Sequence, residues 1–261
     1  MTALCARGFI DLQIAFAQRV AALSGMSLEQ ALLDYTNLYI RFGLGRSFDP
    51  GHPLWQAFLA GHPELDSFAD HAWAFYQRHG APIEAPGVIA KAGCFSYARK
   101  GDLIRLHFEP HPHGPSPLAL DQAEARRAEL RNLFRQIRAT QPPHLRVYGY
   151  SWLYNLPGYR RLFPPAYIAT AAPGEPKFRH MPLWGQFLDR QGEVRQANAA
   201  AFRAALDRQT QLEGIELCFP FQALSCEAPV ECFHAFYADA GHENGRPGHP
   251  GAAAITDLAG T

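Results

Sequence analysis

The sequence predicts a mixed α+β or α/β protein, an N-terminal helical segment packed on a mixed, twisted sheet with flanking helices. Three observations carry this. Up to residue 79 the apolar residues recur at helical spacing. Residues 80–90, GAPIEAPGVIA, break that period with proline and glycine. From residue 93 onward, short alternating apolar runs take turns with helix-like stretches.

The first helix places Phe9, Leu12, Phe16, Val20 and Leu23 on one side. Ser27 and Gln30 form a capping box for a second, whose apolar side is Leu28, Ala31, Leu32, Tyr35, Leu38, Tyr39 and Phe42 and which Gly43 and Gly45 stop. Gly-His-Pro occurs at 51–53 and again at 61–63. Each copy sets proline at a first helical position, before LWQAFLA and before ELDSFADHAWAFYQRH. In the latter Glu64 and Asp66 lie early and Arg78 and His79 late, as the helix dipole favours.

Past the linker, residues 93–98 and 102–109 read as strands around a turn at 99–102. Asp121 and Glu124 open a helix with Leu130, Leu133, Phe134 and Ile137 on its apolar face. Residues 145–150 form a strand that runs into an aromatic-rich helix. Residues 166–170 and 183–188 read as further strands, 195–211 as a helix with Phe202, Ala205 and Leu206 inward, and 215–221 as a last strand. Pro229 starts a short helix with Phe233, Phe236 and Tyr237. The division that follows is a helical segment over 1–85, an α/β domain over 90–237 and a flexible tail over 238–261.

A formal net charge of +0 gives no electrostatic footprint for nucleic acid or for an acidic membrane surface. No apolar run reaches the roughly 18 residues of a spanning helix, and residues 1–16 lack the pattern of a signal peptide, so a soluble, cytoplasmic protein is expected. The five cysteines, odd in number and without C-x-x-C, read as a reduced, buried set. A catalytic thiol at Cys94 would need a basic setting to form its thiolate.

Three groups of residues have the chemistry for a site. In an extended chain His107, Glu109, His111 and His113 point to one side, as metal ligands or as an acid and base would, although Pro110 and Pro112 break the strand. Arg127, Arg131 and Arg138 form a stripe suited to phosphate or carboxylate, or to covering apolar surface with their stems. The strand at 145–150 sets Arg146, Tyr148 and Tyr150 on one face and Gly149 on the other, where a backbone can come close. Ligands bind outside the carboxyl ends of strands in α/β proteins, so Tyr148, Tyr150, Ser151, Trp152, Tyr154 and Asn155 are placed to line a crevice, or else to pack the following helix on the sheet. A Ser151 nucleophile lacks the second glycine of the nucleophile elbow.

Two of these stretches resemble the C-terminal half of GNAT-type acyltransferases, in particular the GNAT-like C-terminal domain of some bacterial acyltransferases. One is the strand 103–108 with its loop and long helix. The other is the strand leading into Ser151-Trp152-Leu153, then a proline-bearing loop and the stretch 183–188. The resemblance covers roughly residues 93–190 and implies a GNAT-like sheet and an acyl-group transfer. It departs from the family where coenzyme A pyrophosphate meets a Gly-rich turn. Here Pro110-His111-Pro112-His113-Gly114-Pro115-Ser116-Pro117 stands in that place, and prolines have no N–H to donate.

The leading expectation is therefore a small-molecule (acyl-group) transferase or ligand-binding protein, with its crevice at the turn 148–155. His107, Glu109, Tyr148 and Ser151 are its catalytic candidates, and Tyr150, Trp152, Tyr154, Asn155, Arg127 and Arg131 its ligand contacts. It assigns no metal and leaves the cofactor open, and a small molecule is its partner rather than nucleic acid or membrane. A metal-dependent enzyme built on residues 107–113 and a non-catalytic interaction protein are the alternatives.

Overall fold

The computed structural model describes residues 5–61, 68–82, 85–111 and 113–239. The N-terminal helices form where their apolar spacing demands. Helix α1 (Arg7–Ser24) buries Phe9, Leu12, Phe16 and Val20 and ends on Gly25, whose φ of 73° lets its N–H reach the Ala21 carbonyl. Ser27 caps α2 (Leu28–Tyr35), its hydroxyl accepting from the Gln30 N–H at 3.2 Å. The helix expected to run on through Phe42 breaks at Thr36–Asn37 and resumes as α3 (Leu38–Arg41). Thr36 is extended, its hydroxyl donates to the Leu32 carbonyl, and the Asn37 N–H turns to Gln13 Oε1 at 2.8 Å, so side chains replace two helical bonds. Helices α4 (Pro53–Ala60) and α5 (Phe68–His79) complete the segment. His52 caps α4 through Nδ1, which accepts from the Leu54 N–H. The second Gly-His-Pro, past Gly61, and Glu64 and Asp66 lie outside the described residues.

Six strands follow, β1 (Val88–Ala92), β2 (Phe95–Lys100), β3 (Leu103–Phe108), β4 (Arg146–Ser151), β5 (Ala172–Pro173) and β6 (Leu224–Pro229), in the spatial order β1-β2-β3-β4-β6-β5. All neighbours are antiparallel except β3 and β4, which α6 (Ala123–Thr140) joins as a crossover. Leu130, Leu133, Phe134 and Ile137 of α6 cover one face of the sheet with Phe95, Tyr97, Ile104 and Val147. The fold is thus α+β, with a mixed sheet and flanking helices.

Short helices fill the remaining connections: α7 (Pro157–Arg160), α8 (Pro165–Ile168), α9 (Met181–Trp184), the longer α10 (Gln196–Arg208), and finally α11 (Val230–Asp239). The last packs Phe233 flat on Phe134, with centroids 4.6 Å apart. Three expected strands are therefore corrected. At 166–170 the prolines Pro164 and Pro165 start a helical turn instead. At 183–188, Pro182 lies in the first turn of α9, and Leu183, Trp184 and Phe187 are buried at helical spacing. At 215–221 the alternation fails at Leu217, which is 69% exposed, while Ile215, Cys218 and Phe219 are buried around a single 3-10 turn. The strand that does pair there is β6, three residues later. The tail expected beyond Ala238 lies, from residue 240, outside the described residues.

Two apolar cores result. One lies between the sheet, α6, α11 and residues 154–167. The other joins α1–α5 to residues 183–223, with Phe16 against Phe219 at 5.3 Å and Trp184 against Phe219 at 5.0 Å. No helix among the described residues is long and apolar enough to cross a membrane.

Candidate functional site

The parallel pair β3–β4 defines the site. Its ladder runs from Leu103↔Arg146 through Arg105↔Tyr148 and stops there, although β3 continues to Phe108 and β4 to Ser151. The carboxyl ends of the two strands therefore part, at the position where open α/β sheets hold ligands.

On the core side this parting is sealed. Tyr154 and Tyr167 meet through their hydroxyls at 2.6 Å directly against Gly149, where any Cβ would collide with both oxygens. Phe108 packs on Tyr159 at 5.5 Å. These tyrosines are buried, and burial holds the hydroxyls of Tyr154, Tyr159 and Tyr167 far up, so they stay protonated.

The opposite face is polar. Cross-strand register puts Ala98, Arg105, Tyr148 and Glu227 in one row, and Ser96 and His107, then Tyr150 and Ser225, in the next. The loop before α9, with Arg46 and Phe48 of the helical half, closes over it. Tyr150 donates its hydroxyl to the Glu175 carbonyl at 2.7 Å, and Lys177 Nζ stands 4.7 Å over its ring. Arg46 Nη1 lies 3.5 Å from His180 Nδ1. Phe48, with a positive φ of 51°, sits edge-on to His180 at 5.5 Å and under the Arg179 guanidinium at 5.0 Å.

Charge on this face is predominantly positive. Burial, then Arg46, Lys177, Arg105 and Arg179, pushes His180 down to about 4. Burial, then Arg105 and Arg46, lowers His107. Both imidazoles are therefore neutral near pH 7. His107 Nε2 is buried without a hydrogen-bond partner among the described residues. Burial raises Tyr148, with Arg105 opposing, and takes Tyr150 up to about 12. Arg179 pairs with Asp34 and Glu227 with Arg146, whereas Arg105 and Lys177 pair with no carboxylate among the described residues.

The structure brings together His107, Tyr148 and Tyr150 from the sequence candidates, and the others serve elsewhere. Ser151 caps the turn Trp152–Asn155, its hydroxyl accepting from the Leu153 N–H at 3.1 Å. Trp152 is buried, stacked on Phe221 at 5.8 Å. Asn155 donates to the Trp152 and Gln222 carbonyls, both at 2.8 Å. Arg127 donates to the Arg161 carbonyl at 3.1 Å, which ties α6 to the segment after α7, and Arg131 pairs with Glu124 of the same helix at 2.7 Å. Glu109 reaches outward to Lys91 at 3.3 Å. No three of His, Cys, Asp and Glu gather into a metal-holding group among the described residues. Cys94 is buried with a raised pKa, caused first by desolvation, the reverse of an activated thiol.

Sequence reasoning missed Arg46, Arg105, Lys177 and His180. Arg105 shares the strand face of His107 by simple alternation, a signal present in the sequence. The other three come from the helical half and from the loop before α9, which no local pattern links to β3.

The loop 110–117 also has a defined partner. Arg190 donates to the carbonyls of Pro115 at 3.0 Å, Gly114 at 3.1 Å and His111 at 3.4 Å. The loop thus offers acceptors to a cation, the reverse polarity of a phosphate cradle. A concavity of about 600 Å³ lies between the end of α6 and α11 and is lined by Arg138, Gln141, Pro142, Glu231 and His234. Among the described residues none of these carries an unpartnered buried polar atom. Comparison with family models, with curated proteins and with solved structures finds no match to the chain.

Proposed function

We propose that the protein is a GNAT-like transferase that moves an acyl group between small molecules at the parting of β3 and β4. The observation that carries this reading is the parallel β3–α6–β4 crossover whose ladder ends at Arg105 and Tyr148, with His107 on the stretch of β3 beyond it and its Nε2 buried without a hydrogen-bond partner among the described residues.

The residues suit the chemistry. A neutral His107 accepts a proton from the attacking amine as its nitrogen bonds to the acyl carbon. The C–N bond forms, the carbon–sulfur bond of a thioester donor breaks, and the leaving thiolate takes a proton from the Tyr148 hydroxyl. Solvent then carries the proton of His107 back to Tyr148. The acceptor polarity of loop 110–117 means that a nucleotide donor is not held there in the family's usual way. Five free cysteines accord with a reducing, cytoplasmic setting.

The test is thiol release from acetyl- and longer acyl-coenzyme A with a panel of amines and amino acids, wild type against His107→Gln. Turnover is expected, falling at least 100-fold in the variant. Absence of both binding and thiol release with every donor overturns the acyl-transfer reading.

A further inference from the structure

The proton-accepting nitrogen of His107 lies among cations rather than beside carboxylates. Arg105 is two residues away on the same strand face, and its charge reaches His107, His180 and Tyr148 together. Lys177 is held over the Tyr150 ring in the neighbouring row, 4.7 Å from its centroid, with the Tyr150 hydroxyl anchored to the same segment. His180 and Arg46 close the same side at 3.5 Å from one another. Glu227, the carboxylate of the row, is already engaged by Arg146, and Asp34 by Arg179. Arg105 and Lys177 are left with no carboxylate partner among the described residues. The charges of Glu227 and Glu175 reach Tyr148 and Tyr150, but neither carboxylate pairs with Arg105 or Lys177, and an oxyanion held between these two partly buried cations accepts charge-assisted hydrogen bonds from both.

We propose that the acyl acceptor is an anion: a small molecule whose nucleophile faces His107 Nε2 and whose carboxylate or phosphate is held by Arg105 and Lys177. The inference rests on the transferase reading for the word acceptor, but the anion site itself does not depend on turnover. Guanidinium geometry at Arg105 receives either oxyanion in two parallel hydrogen bonds, while Lys177 adds a point charge from the loop. The Tyr150 ring beneath Lys177 suits the apolar part of such a molecule.

Titration calorimetry at fixed ionic strength with inorganic phosphate, succinate and chloride tests it on the 261-residue chain. Phosphate or succinate is expected to bind and chloride not, and the stronger of the two tells which oxyanion the site was built for. Arg105→Gln and Lys177→Gln should each weaken that binding about tenfold or more, as loss of a charge-assisted contact does. Circular dichroism checks their folding, and Lys177→Gln, on a loop, serves if Arg105→Gln does not fold. Lack of binding by both oxyanions, or equal affinity in wild type and Lys177→Gln, overturns the proposal. Anion binding without thiol release from any donor leaves the anion site standing and removes the transferase reading. Thiol release with neutral amines alone, at an unchanged rate in Lys177→Gln, does the opposite.

Discussion

Replacing Gly149 by alanine tests the architecture of the strand parting most directly. The position is a β-strand interior with ordinary backbone, since Gly149 is not among the glycines of positive φ. At such a position alanine usually stabilises, by about 0.4–1 kcal/mol, through the entropy of the unfolded chain. Here the sign should reverse. The new Cβ would run into the hydroxyl oxygens of Tyr154 and Tyr167 and lie 2.7 Å from Tyr154 Cζ, and both rings are fixed among Tyr159, Phe163 and Phe233. Overpacking of this kind costs about 1–3 kcal/mol. Separating the 2.6 Å hydroxyl pair adds about 1 kcal/mol. The expected loss is about 2–4 kcal/mol, read from the urea midpoint with an unchanged m-value. Tyr154→Phe in the same chain removes one of the two obstructing oxygens, so the double variant should recover about 1 kcal/mol relative to the sum of the singles. A Gly149→Ala protein within 0.5 kcal/mol of wild type, or more stable, would refute the claim that the tyrosine pair seals the core side.

Two further outcomes follow from the same structure. His180 is pushed to about 4 from an ordinary 6.5 and His107 is also lowered, so the unfolded chain binds more protons below pH 6.5. Stability should be level above that pH and fall between 6.5 and about 4, by about 1–2 kcal/mol for the half-buried His180 once solvent screening is allowed for; a His180→Gln protein that keeps the whole acid loss in urea titrations speaks against this assignment. Trp152→Ala should cost about 3–5 kcal/mol by emptying the space against Phe221, with Trp152→Phe much milder; a loss under 1 kcal/mol by thermal or urea unfolding would return Trp152 to the list of ligand contacts.

How much was legible differs from element to element for physical reasons. The hairpin β2–β3 and the helix α6 were readable because their signals are local: a two-residue turn at Gly101-Asp102 and an apolar stripe at helical spacing. Residues 183–188 misled because an apolar run of that length suits a buried helical turn and a buried strand equally, and the choice fell to the aromatic core formed with Phe16 and Phe219. Strand β6 was missed because its sequence, LSCEAP, has little β character of its own and is held by six register pairs to β4. At the site, the alternation of β3 and β4 named His107, Tyr148 and Tyr150 without help. Nothing in the 174–181 loop or at Arg46 marks a partner of those strands.

The sequence by itself determined the helical character of the first third, the hairpin, the long helix after it and the strand at 146–151, since each depends on periodicity, caps and turns within a few residues, whereas the aromatic-rich helix expected next is a 3-10 turn at Trp152–Asn155. Only the tertiary structure decided which side of the sheet carries the chemistry. Tyr154, Tyr159 and Tyr167 filled one side because buried rings gain more by packing around Gly149 than by facing water, and the other side was left to Arg105, His107 and the cations that Arg46 and the loop before α9 lay over it.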